Sequence, residues 1–313
     1  MKYLQPLSLC LAIFLLSNIQ VLCQKSMLDW TYTDEEKKVT VLDSIDITYV
    51  EEGTGSETLL FIHGLGSYLK AWQKNIAGLK ENYRCIAIDL PGYGKSGKGD
   101  FAYDMTFFSS AVLDLIKQLE LTDVSLVGHS MGGQISIHSV LKNSPVIKKL
   151  ILIAPAGFEQ FTEQERLWFS NVYTSAFIKA TPEAQIANNY KTNFYKMPED
   201  AQFMIEDRLY MRETIEYDGY CEMIPKCVQG MLKEPVFDNL SSINIPTLII
   251  YGQEDQLIPN KFLHAQLTTQ KVAESGHEQI PNSQLEMIPE AGHFVNWEKS
   301  KEVNKLIMEF MSL

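Results

Sequence analysis

The chain is 313 residues long, with 45% hydrophobic and 21% charged residues. That length accommodates one large catalytic domain with a smaller one inserted into it, and the composition is that of an ordinary soluble globular protein, so disorder is not the leading reading. A net charge of −12 argues against nucleic acid or anionic membrane as the main partner, since a negative surface attracts neither.

The first segment differs from the rest. Lys2 precedes an apolar run over residues 7–16, followed by Val21-Leu22-Cys23. A basic start, a short apolar core and small enough residues near the end read as an export signal over 1–23, cut near Cys23. The protein would then be periplasmic or secreted, with no stable membrane insertion after cleavage. The run is short for a bilayer span. A retained anchor is the competing reading, and bulky Leu22 disfavours lipid attachment at Cys23. Cleavage would remove one charged side chain, Lys2, taking the net charge from −12 to −13. Cys85, Cys221 and Cys227 would remain. An oxidising compartment permits a Cys221–Cys227 disulfide, but spacing alone does not distinguish it from two free thiols.

From residue 38 onward apolar runs alternate with helical patterns, the signature of a mostly parallel sheet covered on both faces. Eight strands are predicted, at 38–42, 45–51, 58–62, 84–89, 124–127, 149–153, 246–251 and 284–288, the first two as an antiparallel pair. Helical spacing of apolar residues predicts helices over 107–119, 134–142 and 301–311. The fold class is therefore α/β, with a core at 24–157 and 241–313. Residues 158–240 break the rhythm between the sixth and seventh strands. They are too long for an ordinary connection and rich in aromatics, and are predicted to form a helical cap over the carboxyl edge of the sheet.

The chemistry begins at Val127-Gly128-His129-Ser130-Met131-Gly132. A buried strand runs into a turn and a helix follows at once, a context that strains the serine backbone and exposes its hydroxyl. Gly128 and Gly132 supply the lack of bulk such a turn needs. A serine hydroxyl requires a base, and the base requires orientation. His277 and His293 both follow a glycine near the C-terminus. Residues after strand ends gather at the active edge of such sheets, which favours His293 as base and leaves His277 in a polar loop, exposed to solvent. By the same rule Asp255, just after the seventh strand, is the predicted acid, with Glu254 as its neighbouring competitor. His63-Gly64-Leu65-Gly66 follows the third strand, so the backbone N–H groups of Leu65 and Met131 are the predicted oxyanion donors, with His63 ordering the loop. Asp89-Leu90-Pro91-Gly92-Tyr93-Gly94-Lys95-Ser96 lacks the spacing of a phosphate loop and reads as a tight turn around Asp89.

Together these motifs resemble the α/β-hydrolase family, in the family's order and over about residues 39–313. The resemblance implies a serine hydrolase with Ser130 as nucleophile, Asp255 as acid and His293 as base, and it calls for no cofactor and no metal. Serine at 130 sets the chain apart from haloalkane dehalogenases and epoxide hydrolases, and Met131 from proline iminopeptidases. Esterases, monoacylglycerol lipases, carbon–carbon bond hydrolases and cofactor-free haloperoxidases are all similar at these motifs. The expected substrate is a small ester with an apolar part; the alternatives are carbon–carbon bond hydrolysis, a haloperoxidase-like reaction, or a non-catalytic binding module. The stretch 268–280, between the acid and the base, is longer than the family usually carries.

Overall fold

A computed structural model describes residues 24–313; the predicted export signal lies outside them. Eight strands form one sheet: β1 (Glu36–Val41), β2 (Ile45–Glu52), β3 (Thr58–Ile62), β4 (Arg84–Ile88), β5 (Val124–His129), β6 (Ile147–Ile153), β7 (Thr247–Gly252) and β8 (Ser283–Ile288). Their spatial order is β1-β2-β4-β3-β5-β6-β7-β8. Strand β2 is antiparallel to β1 and β4, and every other neighbouring pair is parallel. The fold class is as predicted.

Burial explains why these runs became these strands. Every residue of β3, β5 and β7 is buried, as expected where helices cover both faces of a parallel sheet. The edge strands β1 and β8 instead alternate between more and less exposed positions. Charged Glu36, Lys37 and Lys38 on β1 make that open edge a poor template for pairing with another chain.

Helices α1 (Gln73–Leu79), α2 (Met105–Gln118) and α3 (Met131–Leu141) connect the early strands. The insert between β6 and β7 carries α4 (Glu163–Val172), α5 (Ser175–Ala180), α6 (Glu183–Lys191), α7 (Gln202–Met211) and α8 (Tyr217–Lys233). Then come α9 (Thr269–Gln279), α10 (Val295–Glu298) and α11 (Ser300–Met311). Helix α2 packs on α3, and α1 packs on α11. Among the described residues no helix is long and apolar enough to cross a membrane.

Four details complete or correct the sequence reading. The stretch 268–280 is not a loop: Thr268 caps α9 through its side chain, and Val272, Ala273 and Gly276 are buried. His277 lies in the last turn of that helix, half-buried, with Nδ1 2.8 Å from Ser283 Oγ. Cys221 and Cys227 both lie on α8, and both are free and buried. Asp89 accepts from the Lys95 and Leu69 N–H groups at 2.8 and 2.9 Å and from the Tyr32 hydroxyl, so the turn is tied to two other segments as well as to itself.

Candidate active site

Strand β5 ends at His129, and α3 begins at Met131. Ser130 alone makes the reversal, at φ 54° and ψ −120°, a conformation that costs a side-chain-bearing residue about 1–3 kcal/mol. Its surroundings hold it there. Ser130 N–H donates to the Ile153 carbonyl at 3.0 Å, and its own carbonyl accepts from Gly133 and Ala156 at 2.9 and 3.0 Å. The flanking glycines are required by contact. A Cβ at Gly132 would sit 2.1 Å from the Ile62 carbonyl oxygen, and one at Gly128 2.4 Å from that of Gly132.

The predicted acid and base meet. His293, 5% exposed, has Nδ1 2.7 Å from Asp255 Oδ2, and Asp255 is 1% exposed. The other carboxylate oxygen, Oδ1, accepts from Leu257 N–H at 2.7 Å and Ile258 N–H at 3.0 Å. Both oxygens are thus occupied, which fixes the carboxylate plane and aims it at the ring. Glu254, the competitor, is exposed. Ser130 and His293 line one cavity of about 330 Å³. Among the described residues Ser130 Oγ makes no hydrogen bond. In an unliganded site the bond from nucleophile to base is often long and tightens around substrate.

The loop after β3 runs against this turn: a Cβ on Gly64 would lie 3.0 Å from Ser130 Cβ. Leu65 lines the cavity and Met131 opens α3 beside it. Among the described residues neither N–H is paired with a protein acceptor. His63 Nε2 accepts from the Leu90 N–H at 3.1 Å, so its proton sits on Nδ1, which donates to the Gly64 carbonyl at 2.9 Å. Burial lowers its pKa to about 4. It stays neutral and orders the loop.

His129 is a residue that sequence reasoning passed over. Its Nε2 donates to the His293 carbonyl at 2.9 Å, and the two rings lie 4.8 Å apart. Burial, with His293 beside it, pushes its pKa well below the ordinary value, so the neutral ring carries its proton on Nε2. The residue before the serine therefore holds the backbone of His293. A second clamp, from α10, reaches the insert. Glu298 accepts from the Gly292, Tyr195 and Lys196 N–H groups at 2.7–3.1 Å, joining the loop of His293 to residues 195–196.

Glu159 was also missed. It lines the cavity, and its Oε1 accepts from Asn260 N–H at 2.9 Å and faces His264 Nδ1 at 2.5 Å. His264 Nε2 lies 3.0 Å from Glu165 at the start of α4. Burial pushes the Glu159 carboxyl upward, opposed by His264 and Asn260. Burial works the other way on His264, but the two carboxylates prevail and raise its pKa.

The sheet order and the serine turn closing β5 define an α/β hydrolase. The family model for the alpha/beta hydrolase fold matches residues 57–300, and the chain belongs to that family, which supports hydrolase activity. It is 26% identical over 282 residues to the hydrolase YugF of Bacillus subtilis, covering 86% of this chain and 96% of that one. It is 24% identical over 275 residues to a 2-hydroxy-6-oxononadienedioate/2-hydroxy-6-oxononatrienedioate hydrolase of Cupriavidus pinatubonensis, covering 83% and 89%. An esterase from Exiguobacterium antarcticum shares the fold at TM-score 0.74 and 24% identity, over 89% of this chain and all of that one.

Proposed function

We propose that the chain hydrolyses carboxylic esters through an acyl-enzyme on Ser130. The observation that carries the reading is a strained serine sharing one cavity with an imidazole whose far nitrogen is bonded to a buried carboxylate. Ser130 Oγ attacks the ester carbonyl while His293 Nε2 takes its proton. Asp255 holds the Nδ1 proton and stabilises the imidazolium. The Leu65 and Met131 N–H groups receive the oxyanion; losing one such donor typically costs about 2.7–4 kcal/mol of transition-state stabilisation. Collapse expels the alcohol with the proton from His293, and water resolves the acyl-enzyme by the same route. The apolar cavity wall, from Phe169 on α4 to Val228 and Leu232 on α8, suits an acyl chain. The negative charge does not favour nucleic acid as a partner, and the export of the chain is proposed on the sequence of residues 1–23.

Short and medium p-nitrophenyl esters are expected to be cleaved, and a fluorophosphonate probe is expected to label Ser130. Absence of both would remove the reading. The dienedioate hydrolase relative favours carbon–carbon bond cleavage as the second reading. A vinylogous diketone acid turned over faster than every ester would establish it instead.

His129 supplies a separate check. Phe in its place keeps the ring and removes the donor, leaving the buried His293 carbonyl unpaired, a loss of about 1–3 kcal/mol. His129→Phe is expected to slow fluorophosphonate labelling about tenfold or more; labelling at the parent rate would deny His129 a part in holding the base.

A further inference from the structure

The cavity contains a polar feature that the ester mechanism does not use. Glu159 is half-buried, with a side chain 7% exposed, and it lines the space shared by Ser130 and His293. Its Oε1 is committed twice, to Asn260 N–H and to His264 Nδ1. Among the described residues Oε2 accepts from nothing. A cavity-lining carboxylate oxygen with no protein partner is available to accept a hydrogen bond from whatever occupies the cavity.

Its position gives the side of the reaction it serves. Asn260, whose N–H is bonded to Glu159, belongs to the segment whose N–H groups at Leu257 and Ile258 hold Asp255. Glu159 therefore lies on the flank of the site where Asp255 and His293 stand. That is where the departing alcohol must sit to receive its proton from His293. Arg166 and Asp238 line the same cavity, one of each sign, and His264 stands between Glu159 and Glu165. A neutral hydroxyl satisfies Oε2 without adding charge to these groups.

We propose that Glu159 is a specificity-determining residue, its Oε2 accepting a hydrogen bond from a hydroxyl on the alcohol portion of the ester, so that the preferred substrates are monoesters of diols or polyols. This rests on the ester-hydrolase reading above.

The test compares 2-hydroxyethyl, 2-methoxyethyl, propyl and 2-(dimethylamino)ethyl butyrates on the full chain. The parent is expected to favour the hydroxyethyl ester in kcat/KM by about tenfold to a hundredfold, the range for a hydrogen bond to a charged group. Glu159→Gln sharpens the comparison. Asn260 N–H and His264 would retain the amide oxygen in the place of Oε1, turning the amide NH₂ toward the substrate. The acceptor becomes a donor, and the ratio of hydroxyethyl to methoxyethyl ester is expected to fall to about one. A parent that does not distinguish hydroxyethyl from propyl, a preference for the dimethylamino ester, or a ratio unchanged in the variant would each overturn the assignment while ester hydrolysis stands. If no ester is cleaved and Ser130 resists the fluorophosphonate, the ester reading falls and this assignment with it. The parent's own preference needs no variant to fold.

Discussion

Ser130→Ala is expected to lower kcat on every ester the parent cleaves by about 10⁴- to 10⁶-fold, the range for losing the nucleophile of a concerted triad. The loss should appear without loss of fold. Ser130 Oγ makes no hydrogen bond among the described residues, so its removal strands no partner, and alanine tolerates the turn no worse than serine. Ser130→Gly makes the converse point. Glycine adopts positive φ freely, so this variant should also be inactive yet gain about 1–2 kcal/mol of stability by releasing the strain at φ 54°. Steady-state kinetics with p-nitrophenyl butyrate and thermal denaturation of the two variants check both halves. An alanine variant that retains a tenth of the parent's activity would remove Ser130 from the chemistry. A glycine variant no more stable than the parent would show that the turn is held without strain.

The serine turn was legible because its requirements are local. Strand β5, two glycines and the start of α3 are contiguous, and each glycine answers a contact made by its own neighbourhood or by the adjacent β3. The sheet was legible for a related reason. Buried central strands read as unbroken apolar runs, and edge strands as alternating ones, so the predicted runs lie within two residues of the observed ends. Helix α9 was not legible. Thr269–Gln279 is largely polar and includes Gly276, which reads as a breaker. In the fold that glycine faces Phe158, where a Cβ would come within 2.1 Å of the ring. The packing that demands glycine is more than a hundred residues away in sequence. Glu159 and His129 escaped notice in the same way: their partners, Asn260, His264 and the His293 carbonyl, lie 101 to 164 residues further along the chain, and no local pattern announces them.

For Asp255 the neighbours determine what an amide would do. In Asp255→Asn the Leu257 and Ile258 N–H groups still require an acceptor, so they hold the amide oxygen where Oδ1 stood. The NH₂ group then occupies the place of Oδ2 and confronts His293 Nδ1. Two donors cannot face each other, so Nδ1 must give up its proton and the ring must carry it on Nε2. In the proposed mechanism that is the nitrogen that accepts the proton of Ser130. The tautomer is reversed while the geometry is preserved. A fall in kcat of about 10⁴-fold is expected, with KM and melting temperature close to those of the parent. Asp255→Ala behaves differently. It strands the two N–H groups as well as the imidazole, so it should lose stability by about 1–3 kcal/mol for each buried donor left unpaired. Kinetics and thermal denaturation of the pair separate the two functions of the carboxylate. Activity in the asparagine variant within tenfold of the parent would mean that another group orients the base.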